Sequence, residues 1–335
     1  MTWIFLAFFL FLLSLLSTYL IRIFSLKKNI LDVPNFRSLH QKPIPRGGGL
    51  AFVFLFYGAL IFLFLENKIP FFILMSLLGG IPVALVGYCD DVVGVKAKWR
   101  ALVHLLSALW GLSFLGGMSV LFFVFAAVTT VWFVNLYNFM DGIDGLAGTE
   151  AVFVSLVAGC VLLATGVDSM AFVCFALTFS VLGFLVFNWP PAKIFMGDVG
   201  SGFLGYIFAM LMWITNSHHQ LSFPFWCILL SVFIIDATYT LIYRIIQRKK
   251  WWSAHCEHAY QRLTQSGLTH RKTTLSIVTI NLFVCFPIAM IYIKMHSNTI
   301  PVLYLMLVSL GFWFVWFMII KKSNDMARKL VNDQS

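Results

Sequence analysis

The sequence predicts an all-α, polytopic integral membrane protein of about eleven transmembrane helices, and three observations carry that prediction. Of its 335 residues, 61% are hydrophobic and only 11% charged, where a soluble domain sits nearer half and a quarter. The apolar residues come in long blocks, and a helix needs about 20 mostly apolar residues to cross a bilayer core. The basic residues, finally, crowd onto alternate connections between those blocks, as membrane insertion demands.

The blocks can be taken in order. The first, Trp3 to Ile23, lacks a basic start and a small-residue cleavage pattern, so it reads as an uncleaved helix and not as a signal peptide. With it, the apolar runs place helices at 3–24, 50–65, 70–89, 101–116, 119–137, 147–166, 170–187, 202–216, 223–246, 274–293 and 300–320. One set of connections comprises 25–49, 90–100, 138–146, 188–201, 247–273 and the tail after 320. Together with Arg22 and Arg244 at the adjoining helix ends, it holds all 23 Lys and Arg except Lys68 and Lys294. Basic loops stay in the cytoplasm, so the amino terminus is expected outside, on the periplasmic side, and the carboxyl terminus inside. The net charge of +10 then follows from topology and implies no nucleic-acid partner. The six cysteines show no paired spacing, which argues against a disulfide frame or a zinc site. No internal repeat or low-complexity linker divides the chain, so 1–335 reads as a single transmembrane domain in a lipid bilayer.

Charged groups at the hydrocarbon edge are costly and usually have a task. Five of the thirteen acidic residues gather at three predicted cytoplasmic helix ends: Asp90 and Asp91, Asp141 and Asp144, and Asp198. Asp90-Asp91 are expected just after the span that ends near Cys89. Adjacent like charges need a cation or a proton between them, and carboxylates with phosphate oxygens form the ordinary Mg²⁺ environment. Asn135, Asn138, Asp141 and Asp144 recur every third residue, a spacing that keeps them roughly on one face if the segment is helical. A string of caps and turns is the plainer reading of the same residues. Asp198 stands where a membrane helix begins, within Phe195-Met-Gly-Asp198-Val-Gly-Ser201, and helix amino-terminal N–H groups favour anions. As a plain cap it would have no further role.

Two basic loops complete the picture. Lys42 and Arg46 precede Gly47-Gly48-Gly49, a combination able to cradle phosphate, although the string does not match the nucleotide-binding pattern G-x-x-x-x-G-K-[ST]. The segment 247–273 carries His255, Glu257, His258 and Arg262; a basic, histidine-bearing loop above acidic metal ligands suits a diphosphate. Asp236, midway along the ninth run, is the odd acid, open to a partner such as Thr238 or another helix.

Taken together, the Asp90-Asp91 pair, Asn138-x-x-Asp141-Gly-x-Asp144-Gly, Phe195-Met-Gly-Asp198-x-Gly-Ser201 and the late histidine loop resemble the polyprenyl-phosphate N-acetylhexosamine-1-phosphate transferases. The resemblance runs from the Pro/Gly loop through His258. It implies transfer of a sugar-1-phosphate from a UDP-linked amino sugar to undecaprenyl phosphate with release of UMP, at the bacterial inner membrane. Mg²⁺ is the implied cofactor, with Mn²⁺ as a substitute. Asp90 becomes a candidate base for the lipid phosphate, Asp91 and Asp198 the metal-proximal pair, and Asp141 and Asp144 their support. Asn188 and Phe195 fall near the uridine and His258 near the diphosphate, with Lys42, Asn138, His255 and Arg262 as further substrate contacts. The form His258-Ala-Tyr-Gln is closer to the O-antigen-initiating branch than to the muramoyl-pentapeptide branch. A homodimer is compatible with the apolar helix surfaces. A flippase of lipid-linked sugars and a polyprenyl-diphosphate phosphatase are the rival expectations; neither predicts five clustered carboxylates together with a nucleotide loop.

Overall fold

A computed structural model describes residues 2–34, 39, 42–250, 255–295, 311, 314 and 318. It is almost wholly helical. The first helix is α1 (Thr2–Lys27), followed by a two-residue antiparallel pair, β1 (Leu31–Asp32) with β2 (Ile44–Pro45), in which Leu31 faces Pro45 and Asp32 faces Ile44. Then come α2 (Gly49–Leu65), α3 (Phe71–Leu78), α4 (Gly80–Val93), α5 (Ala97–Ser113), α6 (Val120–Phe139), α7 (Leu146–Ala164), α8 (Asp168–Asn188) and α9 (Asp198–Ser217). Beyond these lie α10 (Phe223–Leu229), α11 (Ser231–Ile246), α12 (Ala259–Gln265) and α13 (His270–Ile280). A short wider-wound stretch, Asn281–Cys285, leads into α14 (Phe286–Met295).

Among the described residues seven helices are long and apolar enough to cross a membrane, or eight if the bent pair α10 and α11 forms one span. Helix is found at ten of the eleven predicted spans, while the span at 300–320 and the tail after it lie outside the described residues, apart from three isolated positions. The predicted span 70–89 is built from α3 and α4, and that at 223–246 from α10 and α11, which bend by 83° at Leu230.

The chain forms two compact units: residues 2–33 with 42–223, and the described residues from 224 onward with Pro34 and Leu39. In the first, α9 is the axis. Every side chain from Val199 to Thr215 is buried, and α2, α4 and α6 pack around it. Small residues allow that approach, since membrane helices associate chiefly by close packing. At Gly87 of α4 an added Cβ would stand 2.4 Å from the Asp198 carbonyl oxygen. The end of α4 is therefore pressed against the start of α9. Polar side chains inside the bundle spend their bonds on backbone carbonyls, as hydrocarbon surroundings require: the Tyr206 hydroxyl contacts the Ser76 and Ser107 oxygens at 2.8 and 3.1 Å, and Tyr57 donates to Leu77 O at 2.9 Å.

In the second unit, α11 carries Asp236, Thr240 and Arg244 on one buried face at intervals of four. The region 247–273 is not all loop, because Ala259–Gln265 forms α12 and α13 starts at His270.

Candidate active site

The backbone assembles one end of the first unit before any side chain acts. Phe195 N–H donates to Pro45 O at 2.8 Å, Gly48 N–H to Phe195 O at 2.9 Å and Gly49 N–H to Met196 O at 2.9 Å. The segment leading into α9 thus runs beside the β1–β2 pair and the glycine-rich string. The same contacts bring Arg46 toward the carboxylates.

Asp90 and Asp91 do not follow α4 but lie in its last turn, because Val92 and Val93 extend the apolar helix to Gly94, whose φ of 73° ends it. Asp91 has a nearly buried side chain, 3% exposed. Its Oδ2 accepts the Val199 N–H at 3.3 Å, and the Asp198 N–H is a second donor. It therefore satisfies orphan N–H groups at the start of α9. Gly197 makes this possible: its φ is 76°, and a Cβ there would stand 2.3 Å from Asp91 Oδ2.

Asp90 accepts the Val95 N–H at 2.6 Å and is paired with Arg100, whose Nη1 also lies 3.0 Å from Asp198 Oδ2. Asp90 and Asp198 approach within hydrogen-bonding reach of one another. Two like charges about 4 Å apart repel by roughly 4 kcal/mol at an effective dielectric constant of about 20. Such a cluster is stable only with compensating cations or shared protons, and Arg100 supplies one positive charge. Arg46 supplies another, with Nη2 at 2.7 Å from Asp32 and Nη1 at 3.9 Å from Asp91. Burial works against the Arg46 charge, but Asp32, then Asp91 and Asp198, outweigh it and raise its pKa.

Asp141 belongs to the turn between α6 and α7. Loss of hydration pushes its carboxyl well above the usual range, and the charges of Asp198 and Asp91 push it further the same way. The one-face helical spacing expected for 135–144 does not hold, since α6 ends at Phe139 and a left-handed Gly145 precedes α7. Asn135 bonds back to Val131 O at 2.7 Å. Asn138 remains on the site side, donating to Ser201 Oγ at 3.1 Å and to Asp198.

Asp144 and Asn188 brace the neighbouring loop. Asp144 Oδ2 accepts the Ala192 N–H at 3.0 Å, and buried Asn188 accepts the Gly145 N–H and donates to Ile194 O, each at 3.0 Å. Phe195 is half-buried beside β2, and Lys42 is exposed just before that strand. In the second unit, His258 is buried with Nδ1 3.5 Å from Asp236 Oδ1, and His255 stacks on it at 5.0 Å between ring centroids. Arg262 donates from Nε to Glu257 O at 3.0 Å. Asp236 bonds Thr240, not Thr238, because the fourth residue along a helix shares its face and the second does not.

Comparison with known proteins bears directly on this arrangement. A family model described as glycosyl transferase family 4 matches residues 71–216, the stretch that holds all five clustered carboxylates. A Bacillus subtilis (strain 168) protein described as a probable undecaprenyl-phosphate N-acetylglucosaminyl 1-phosphate transferase is 31% identical over 303 residues, covering 84% of this chain and 82% of its own. The chain belongs to glycosyl transferase family 4. Undecaprenyl-phosphate alpha-N-acetylglucosaminyl 1-phosphate transferases of Thermotoga maritima and Escherichia coli (strain K12) are 27% and 25% identical. These cover 80% and 95% of this chain and 84% and 91% of their own.

For this family 4 chain the fit to a divalent cation rests on donor chemistry. The donors are all carboxylate oxygens, crowded enough to need positive charge. Among the described residues no three His, Cys, Asp or Glu side chains already form a ligand set. Mg²⁺ asks for less, since it is commonly held by one or two carboxylates with water and substrate phosphate completing the shell. Arg46 was expected, with Lys42, to cradle phosphate, but neither it nor Arg100 was expected to pair with the carboxylates. A cation two residues after Pro-Ile and just before three glycines was a visible signal for Arg46; nothing in the spacing marked Arg100.

Proposed function

We propose that this family 4 chain transfers an N-acetylhexosamine-1-phosphate from a UDP-sugar to undecaprenyl phosphate, giving undecaprenyl-diphosphate-sugar and UMP. The observation that carries the proposal is the convergence of Asp90, Asp91, Asp141 and Asp198 at one end of a membrane bundle, between two arginines. The names borne by the relatives point the same way.

In this reaction an oxygen of the lipid phosphate forms a bond to the sugar-bearing phosphorus. The bond between the two phosphoryl groups of the UDP-sugar breaks, and UMP leaves with the electron pair. Both reactants are anions, so repulsion is the main obstacle, and preorganised positive charge is the remedy. Arg46 and Arg100 provide fixed cationic charge, and the N-terminus of α9 adds its dipole. Asp91 and Asp198 would hold Mg²⁺, or Mn²⁺ in its place, which would supply positive charge against the phosphoryl oxygens. Asp90 is the base available to a protonated lipid phosphate. Asp141, whose carboxyl burial and the neighbouring acids push well above the usual range, supports the cluster, and Asp144 fixes the loop through Ala192.

The lipid acceptor is confined to the bilayer and the nucleotide sugar to the cytosol, so the site belongs at the inner face of a bacterial cytoplasmic membrane. The distribution of Lys and Arg supports eleven spans with the amino terminus in the periplasm and the carboxyl terminus in the cytoplasm. GlcNAc-1-phosphate is the group named in the relatives, while the His258-Ala-Tyr-Gln loop favours an O-antigen-initiating role, with a 6-deoxy amino sugar as the second donor to try.

The test is incubation of purified protein with undecaprenyl phosphate, Mg²⁺ and a panel of UDP-N-acetylhexosamines. UMP release with at least one donor, abolished by EDTA and restored by Mg²⁺, is expected. Absence of UMP with every donor overturns the transferase reading, and indifference to EDTA overturns the metal.

A further inference from the structure

Asp236 is not one of the clustered carboxylates, yet it is densely bonded within its own unit. It is 6% exposed on α11. Its Oδ1 accepts the Ala259 N–H at 2.8 Å and the Thr240 hydroxyl at 3.1 Å, and its Oδ2 accepts the Tyr260 N–H at 3.2 Å. His258 Nδ1 approaches the same carboxylate at 3.5 Å. One side chain therefore receives donors from its own helix, from the first turn of α12 and from the imidazole that precedes that turn.

A buried carboxylate is retained where it is fully bonded or has a task. Here the bonds fix the chain on both sides of His258. They hold the backbone at 259 and 260, and the carboxylate faces Nδ1 of the ring. A carboxylate beside one ring nitrogen sets the imidazole tautomer and orientation and leaves the other nitrogen to work. The same face of α11 continues the clamp. Arg244, two turns on, reaches Glu257 at 3.0 Å and Lys250 O at 2.8 Å, and Lys249 meets Glu257 at 2.7 Å. His258 N–H is held by Gln261 Oε1 at 3.2 Å, and the ring lies between those of His255 and Tyr260 at 5.0 and 5.9 Å.

We infer that Asp236 is a positioning residue for His258: it orients the imidazole so that Nε2 is presented to an anionic phosphoryl group, and it acts on the reaction only through that histidine. The inference rests on the transferase reading for its activity assay, but its geometry stands on α11 and α12 alone.

A double-mutant cycle tests it. Asp236→Asn lowers turnover by about 10- to 100-fold, the usual effect of removing a partner that orients a functional histidine. In a His258→Ala background the same substitution costs nothing more, because a residue acting through another loses its effect when that other is gone. Asp236→Glu, which keeps the charge one methylene further out, retains more activity than Asp236→Asn. Multiplying losses, an unchanged Asp236→Asn enzyme, or Asn surpassing Glu would each overturn the inference. A readout without turnover separates this failure from that of the transferase itself. Carbethoxylation of His258 by diethyl pyrocarbonate, followed by peptide mass spectrometry, proceeds several-fold more slowly in Asp236→Asn than in the wild type, because Nε2 loses both its orientation and the basicity the carboxylate lends it. An equal rate overturns the inference even if the wild-type chain releases no UMP.

Discussion

Asp198 and Asp236 are both acids on apolar helices, and the contrast between them shows how a structure separates chemistry from scaffolding. Asp236 is met by two backbone N–H groups, a hydroxyl and an imidazole, so its charge is shared among donors of its own unit. Asp198 shares its surroundings with Asp90 and Asp91, and Arg100 and Asn138 offset only part of that charge. The first arrangement is complete without a ligand, whereas the second leaves excess negative charge for which a cation is the natural complement.

The comparison is broken most severely by neutralising the cluster. Asp90→Asn, Asp91→Asn and Asp198→Asn each reduce UMP release by about a hundredfold or more, while detergent-purified protein keeps its melting temperature within a few degrees for Asp90 and Asp198. Full activity in any one of the three variants removes that residue from the site. Asn188, which the resemblance sets near the uridine, also braces the scaffold through Gly145 and Ile194. Asn188→Ala leaves the Gly145 N–H and Ile194 carbonyl without their partner, at a cost of about 1–3 kcal/mol, read as a lowered midpoint of thermal unfolding. An unchanged midpoint together with a raised KM for the UDP-sugar would return Asn188 to substrate contact.

The smallest effect concerns the late loop. Burial first, then the charges of His258 and Arg244, hold the His255 imidazole down to about 4. The unfolded chain takes up that proton near pH 6.5. The folded form is therefore fully favoured above about pH 6.5 and loses ground as pH falls toward 4. Amide exchange across 255–265, corrected for intrinsic rates, should accelerate between pH 7 and pH 5 in the wild type and less so in His255→Gln. Equal pH dependence in the two proteins would place the sensitivity elsewhere.

Much of this was legible in the sequence, and the misses have physical causes. Apolar runs located the helices because hydrocarbon thickness sets a length that composition reveals directly. The clustered acids were conspicuous because charge at a membrane edge is costly. Helix ends were less legible: Val92 and Val93 carry α4 past the aspartate pair, whereas α6 stops at Phe139 and so keeps the spacing of 135–144 from becoming a helical face. Long-range contacts were least legible of all. Asp236 meets Ala259 and Tyr260 across 23 and 24 positions, and Arg100 meets Asp198 across 98. No local pattern encodes those pairs, because folding of the intervening chain brings them together.

The central claim is that the acids at the ends of α4 and α9 hold a divalent ion and that the acid on α11 does not. Electron paramagnetic resonance of Mn²⁺ titrated into purified protein measures this directly. The account predicts a bound ion in the wild type and in Asp236→Asn, and its loss in both Asp91→Asn and Asp198→Asn. Equal Mn²⁺ binding by the wild type, Asp91→Asn and Asp198→Asn would contradict it.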